Sequence, residues 1–228
     1  MLKAILFDFD GTIANTEPLH YKTWKETLKD YGVETDRKFY KQHISGRTNP
    51  AIIQNLLPQL SPTEAEKVAN EKEAKFREMA VSLQPLTGLL DFIKWIKYNK
   101  LQKAIVTNSP PENAKFLLGF LSLKDTFPLL ISGAVMPVGK PDPAPYKLCL
   151  EKLKISPEEA IVFEDSPSGI QSAVGAGICT IGVASTHERG ALVEAGAKIS
   201  IKDFSDEQLN KIFPSWKISD MNYLKYSA

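Results

Sequence analysis

Residues 2–12 read LKAILFDFDGT, an apolar run that ends in two aspartates, Asp8 and Asp10, followed by Gly11. A run of strand length with no polar alternation is what a strand buried on both faces requires. Runs of the same kind recur at Lys103–Thr107, Leu129–Ser132, Ala160–Phe163, Ile178–Val183 and Lys198–Ile201. Amphipathic stretches separate them, such as Gly88–Tyr98, where Leu89, Leu90, Ile93 and Ile96 fall at helical spacing. Apolar strands alternating with helices predict an α/β fold, a doubly wound parallel sheet covered on both faces. Ligands of such sheets bind beyond the carboxyl ends of the strands.

From Asn15 to Ser82 the alternation stops, and only helical patterns are found. Pro18 suits the first turn of a helix that Gly32 ends, with Trp24, Leu28 and Tyr31 on adjoining faces. Thr48–Leu57 and Thr63–Met79 also read as helices, the second with Ser61-Pro62 as its start signal. The expected organisation is a core of residues 1–14 and 83–228 with a small all-helical insert, 15–82, after the first strand. The tail after Pro214 shows no element, only Trp216 and Tyr223 to pack on the surface.

Composition narrows the function. With 228 residues the chain can bury a full core without staples. Lys plus Arg number 28 and Asp plus Glu 27, so no overall field draws the chain to nucleic acid or to a membrane surface. Cys149 and Cys179 stand far apart and in no CxxC pattern, and Cys179, within ICTIGV, reads as core. Neither suggests a disulfide or a zinc site, which points to a reducing compartment. The first apolar run is too short for a signal peptide, and no run reaches membrane-spanning length. The expectation is a monomeric cytoplasmic protein, or an organellar one if a transit peptide has been removed.

Four polar clusters follow four of the strand runs. Asp8 and Asp10, one residue apart at a strand end, would repel by about 4 kcal/mol at 4 Å and an effective dielectric of 20. They cannot both be buried without a cation. A calcium loop of the EF-hand kind is excluded, because Ile13 stands where that loop needs glycine. Thr107-Asn108-Ser109 precedes Pro110-Pro111 and reads as a helix N-cap, a geometry shared with phosphate binding. Gly139-Lys140-Pro141 lacks the spacing of a P-loop, so Lys140 supplies a single positive charge. Glu164-Asp165-Ser166, before Pro167, reads as a cap or as a second acidic contribution to a cation site.

In this order, DFDGT, TNS, Lys140 in GKPDP and EDSPSGIQSAVGAG resemble the four motifs of the haloacid-dehalogenase superfamily. The resemblance runs from Met1 to about Phe213, and the insert is similar to the helical cap that follows the first motif in one subfamily. NTEPLH with Trp24 is similar to sugar-phosphate phosphatases and β-phosphoglucomutases. The resemblance implies a Rossmann-like core, Mg²⁺ as cofactor and a small phosphorylated metabolite as substrate. It implies Asp8 as nucleophile and Asp10 as general acid/base. Mg²⁺ would be held by Asp8, the Asp10 carbonyl and Asp165, with Glu164 behind these ligands. Thr107, Asn108 and Lys140 would hold the phosphoryl oxygens. Glu17, His20, Trp24, Gly46, Arg47 and Lys72 would face the leaving group or a second phosphate. On their own, His20 reads equally as a structural histidine and Lys72 as a solvated helix face.

The resemblance favours a phosphatase over a phosphomutase, because the mutases tend to have valine at Thr12 and an arginine placed differently from Arg47. Dehalogenases lack the second aspartate and the metal. A binding module that had lost catalysis would have lost a carboxylate, and all the motif residues are present.

Overall fold

The computed structural model describes residues 1–45, 47–80 and 83–213. Gly46, Trp216 and Tyr223 therefore lie outside the described residues, as does the whole tail after Pro214. Among the described residues the strands are β1 (Ala4–Phe7), β2 (Gln102–Thr107), β3 (Leu129–Ser132), β4 (Ala160–Glu164), β5 (Cys179–Val183) and β6 (Ile199–Ile201). They form one sheet in the order β3-β2-β1-β4-β5-β6, and each neighbouring pair is parallel. Every strand expected from the sequence is there, with ends moved by one or two residues at most. The order reverses between β1 and β4, so the crevice of this doubly wound sheet opens beyond those two strands.

The α-helices between the first two strands are α1 (Glu17–Lys29), α2 (Arg37–His43), α3 (Asn49–Leu56), α4 (Pro62–Met79) and α5 (Leu89–Tyr98). Those after β2 are α6 (Pro111–Phe120), α7 (Ala144–Leu153), α8 (Pro167–Gly175), α9 (Arg189–Glu194) and α10 (Leu209–Ile212). Side chains alternate across the sheet. Ile5, Phe7, Ile105, Phe163 and Ile181 face one core, with Phe92 and Ile96 of α5 and Leu117 of α6. Ala4, Leu6, Val106 and Val162 face the other, with Tyr146 and Cys149 of α7 and Ala173 of α8. Phe7 stacks on Phe163 at 5.6 Å between ring centroids. Burying such a ring contributes about 1.5–3 kcal/mol.

Two expectations are corrected. Leu90, read at helical spacing with Leu89, Ile93 and Ile96, is exposed, and Phe92 and Trp95 join Leu89 and Ile96 in the buried positions of α5. Cys179, expected in the core, is exposed at the open end of β5. Hydrophobicity of the surrounding run placed it inside, and its neighbours Ile178 and Thr180, on the opposite face of the strand, are indeed buried.

α1 to α4 bury an apolar cluster of their own, made of Trp24, Leu28, Tyr40, Ile44, Ile52, Ile53, Leu57 and Val68. α4 begins with a capping box in which Ser61 and Glu64 satisfy each other's backbone amides. Its far end is different, since Phe76 packs into the main core with Phe9 and Ile13. The two chain crossings into this helical region lie side by side. Leu86 N–H donates to the Ile13 carbonyl at 2.9 Å, and Ala14 pairs antiparallel with Pro85.

Candidate active site

Asp8 follows β1 directly, and its N–H is tied to the Phe163 carbonyl at 2.9 Å. Asp165 follows β4, so the two carboxylates flank the point where the strand order reverses. Lys140 enters from the loop after β3. Its Nζ donates to Asp8 Oδ1 at 2.6 Å, to the Val106 carbonyl at 2.7 Å and to Glu164 Oε1 at 2.5 Å. Tyr146 Oη donates to the same Glu164 oxygen at 2.7 Å. Glu164 is fully buried, and its Oε2 has no hydrogen-bond partner among the described residues. A side chain at Gly169 would place its Cβ 1.9 Å from that oxygen, so only glycine fits there. Gly11 has φ +82°, and a Cβ on it would fall 2.1 Å from Asp165 Oδ2.

The carboxylates of Asp8, Glu164 and Asp165 offer ligand atoms within 4.8 Å of one another, and all three are buried. Lys140 is the one cation that contacts this trio directly among the described residues. Burial, then Glu164, holds the Asp8 carboxyl well above the ordinary carboxylate range, against the pull of Lys140. Burial and Glu164 also push Asp165 up to about 8, although the Thr186 hydroxyl donates to it. Burial alone would depress Lys140, but Asp8 and Glu164 outweigh it and keep the ammonium charged. An all-oxygen, acidic, buried cluster with a single lysine has the donor set of a hard divalent cation.

Asp10 faces away from this centre. Its carboxylate accepts from Thr16 Oγ1 at 2.7 Å, from the Ser109 hydroxyl, and from His20 Nε2 at 3.3 Å. Burial acts to raise its pKa, but these donors, His20 first, hold it below the usual carboxylate range.

Thr107 and Asn108 line the same cavity, but not as a helix cap. The N-cap position of α6 is Pro110, and no side chain caps it. Thr107 Oγ1 accepts instead from Ser109 N–H at 3.0 Å. The Asn108 amide clasps the Lys140 backbone through two bonds of 3.0 Å. A cap would need the side chain to turn back on its own helix, whereas this one is engaged across the loop that positions Lys140. The Ser166 cap on α8 is as expected, accepting from Gly169 N–H at 3.1 Å.

The cavity has a volume of about 460 Å³ and lies between the strand ends and the helical insert. Glu17, His20, Trp24, Arg47 and Lys72 all line it. Arg47 is exposed, its guanidinium near the Gln42 carbonyl. The solvated reading of Lys72 is overturned, because its side chain is fully buried. Its ammonium donates to His20 Nδ1 at 3.0 Å and to Glu73 Oε1 at 2.8 Å. His20 lies flat on Phe76 at 4.2 Å. Sequence reasoning missed Glu73, Asn49, Tyr40, Thr186 and His187, which also line the cavity. The position of Thr186-His187 just beyond β5, at another carboxyl strand end, was the available signal for that pair.

The haloacid dehalogenase-like hydrolase family matches the chain over residues 5–183. The chain belongs to that family. Within the family it is 32% identical over 207 residues to a phosphorylated carbohydrates phosphatase of Thermotoga maritima, covering 88% of this chain and 94% of that one. It is 33% identical over 184 residues to a fructose-1-phosphate phosphatase of Escherichia coli, covering 78% and 95%. Its fold superposes on a CbbY variant from Rhodobacter sphaeroides in complex with xylulose-(1,5)bisphosphate, with a TM-score of 0.80 and 27% identity, covering 90% and 96%. With this membership and these relatives, the chain is a phosphoric monoester hydrolase. Among the described residues, no helix is long and apolar enough to cross a membrane.

Proposed function

We propose that this hydrolase is a Mg²⁺-dependent phosphatase that removes phosphate from a small sugar phosphate through a phospho-Asp8 intermediate. The observation that carries the proposal is the setting of Asp8. It is buried on the cavity floor, held by Lys140, and grouped with two more carboxylates within 4.8 Å. Asp8 and Asp165, with the Asp10 carbonyl, would hold the metal, and Glu164 would stand behind them with Oε1 already given to Lys140 and Tyr146. When bound, the cation neutralises charge on the transferring phosphoryl group and on the carboxylates around it.

The chain's own residues supply the rest. Asp8 attacks phosphorus, forming the acyl phosphate as the sugar oxygen leaves. Asp10 gives that oxygen a proton and takes one from the water that later attacks phospho-Asp8. The ionised Asp10 held by Thr16, His20 and Ser109 is the form that accepts the water's proton. Thr107, the Asn108 amide and Lys140 hold the phosphoryl oxygens, and Asn108 fixes Lys140 by clasping its backbone. Residues 15–82 act as a cap, and Glu17, His20, Trp24, Arg47 and Lys72 meet the sugar. Thr12 and Glu17-Pro18 resemble the phosphatases more than the mutases. The unpaired cysteines are in keeping with a reducing cytoplasm, where the protein is taken to act as a monomer.

The test is phosphate release with Mg²⁺ from a panel of fructose 1-phosphate, glucose 6-phosphate, 2-deoxyglucose 6-phosphate and p-nitrophenyl phosphate. Release from at least one sugar phosphate in preference to p-nitrophenyl phosphate is expected. Isomerised sugar phosphate without free phosphate would replace the phosphatase by a mutase, and no turnover of any kind would overturn the reading.

A further inference from the structure

Lys72 presents a problem of electrostatics that the cavity alone does not solve. A fully buried ammonium on a long, flexible stem needs a counter-charge and a fixed direction. The rings of Trp24 and Phe76 lie 5.5 and 5.2 Å from its Nζ and give it an apolar sleeve. The counter-charge is the neighbouring Glu73, at 2.8 Å.

Glu73 is itself fastened from two other helices. Its Oε1 accepts from Asn49 Nδ2 of α3 at 2.6 Å, and its Oε2 accepts from Asn113 Nδ2 of α6. Asn113 is buried, and its Oδ1 accepts from Arg77 Nη1 of α4 at 2.6 Å. An arginine can only donate, so the Asn113 oxygen must face Arg77 and its amide nitrogen must face Glu73. The orientation of the amide is therefore fixed by its neighbours. Glu73 lines the cavity, whereas Asn113 lies behind it. A continuous line of polar contacts thus runs from the core helix α6 through Asn113 and Glu73 to Lys72.

We infer that Glu73 and Asn113 are positioning residues, which fix the Lys72 ammonium toward the substrate and tie its aim to the core helix α6. This rests on the proposed phosphatase reading only for its kinetic test. Lys72 has three protons to give; Glu73 and His20 take two, which leaves the third for a substrate oxygen. Without Asn113, Glu73 keeps its charge but loses the bond that ties it to the core, and the ammonium loses its direction rather than its partner.

The experiment is a double-mutant cycle on Asn113→Ala and Lys72→Ala, with the sugar phosphate that the panel turns over fastest and with p-nitrophenyl phosphate. Misplacement of a substrate-binding group by about 1 Å can cost roughly 100-fold. Asn113→Ala is expected to lower kcat/KM for the sugar phosphate at least tenfold, and p-nitrophenyl phosphate much less. In the Lys72→Ala background the same change should cost nothing further, because the residue it positions is gone. Losses that multiply, or that fall equally on both substrates, would overturn the inference. A second measurement does not depend on turnover: acetylation of Lys72 by acetic anhydride, followed by mass spectrometry, should accelerate in Asn113→Ala while Lys140 stays protected. Unchanged Lys72 labelling, or equal acceleration at Lys140, would count against a positioning role even if no panel substrate is turned over. Should Asn113→Ala fail to fold, Asn113→Ser and Glu73→Gln enter the same measurements with the same outcomes deciding.

Discussion

Asp8 and Asp10 are separated by one residue, which in a continuing strand would put them on one face. But β1 ends at Phe7 and the chain turns at Gly11, and they keep different company: lysine and carboxylates around one, hydroxyls and an imidazole around the other. As the proposed nucleophile, Asp8 should tolerate no replacement. Asp8→Asn is expected to fold normally by circular dichroism and to lose phosphate release altogether, since an amide keeps the shape without the nucleophile. Asp10→Asn should slow a sugar phosphate by about 100-fold or more and p-nitrophenyl phosphate less in the first step, because nitrophenolate leaves without a proton. Equal losses on the two substrates would contradict the acid role. The glycine at 169 makes a prediction about stability rather than chemistry. Gly169→Ala drives a methyl group into the Glu164 carboxylate, and overpacking of that kind costs about 1–3 kcal/mol. A thermal melt should therefore fall by roughly 2–4 °C per kcal/mol for a chain of this size. At this scale Asp8, Asp10, Thr107, Asn108, Glu164 and Asp165 were legible because they stand at or just past the end of an apolar run, where a polar side chain needs a reason. Lys140 was legible only through its place in the ordered set of motifs. Glu73 and Asn113 were not legible, because their bond joins positions 40 residues apart and neither stands in a motif.

At the scale of elements, sheet and insert divide along the same line as the proposed chemistry and specificity. The strands were readable from sequence because burial on both faces leaves no polar alternation to confuse them. α2 was not, since RKFYKQH buries only Tyr40 and shows no apolar stripe. The start of α6 was misread for a related reason. Thr107-Asn108-Ser109 has the composition of a cap, and only the fold shows that Asn108 is engaged with Lys140 across the loop. If the insert supplies specificity, changes in it should separate two substrates that share a phosphoryl group. His20→Ala, Arg47→Ala and Lys72→Ala should reduce kcat/KM for a sugar phosphate far more than for p-nitrophenyl phosphate, which offers the cap little to hold. Lys140→Ala should damage both, since Asp8 and Glu164 lose their common cation. Parallel losses in all four variants would mean that the insert serves folding or core chemistry instead.

For the molecule as a whole, the reversal of strand order sets the electrostatic problem. It brings the ends of β1 and β4 side by side, and with them three buried carboxylates that one lysine cannot balance. Such crowding opposes folding unless a proton or a cation relieves it. The raised pKa values of Asp8 and Asp165 show how strongly the metal-free centre resists ionising. A cation that binds the folded centre and has little affinity for the separated carboxylates of the unfolded chain must stabilise the fold by mass action. At a Mg²⁺ concentration 100 times its dissociation constant this amounts to about 2.7 kcal/mol, or roughly 5–10 °C in the melting temperature. The gain should vanish with excess chelator, and in Asp165→Asn it should shrink while p-nitrophenyl phosphate turnover collapses. Ca²⁺ should also raise the melting temperature, because its oxygen ligands are the same, yet support little turnover, because its longer bonds and larger coordination number misplace Asp8. Differential scanning fluorimetry beside a phosphate-release assay, each with Mg²⁺, Ca²⁺ and chelator, separates binding from chemistry. Full activity in excess chelator, or a melting temperature indifferent to Mg²⁺ in the wild-type protein, would show that the three carboxylates do not form a metal centre.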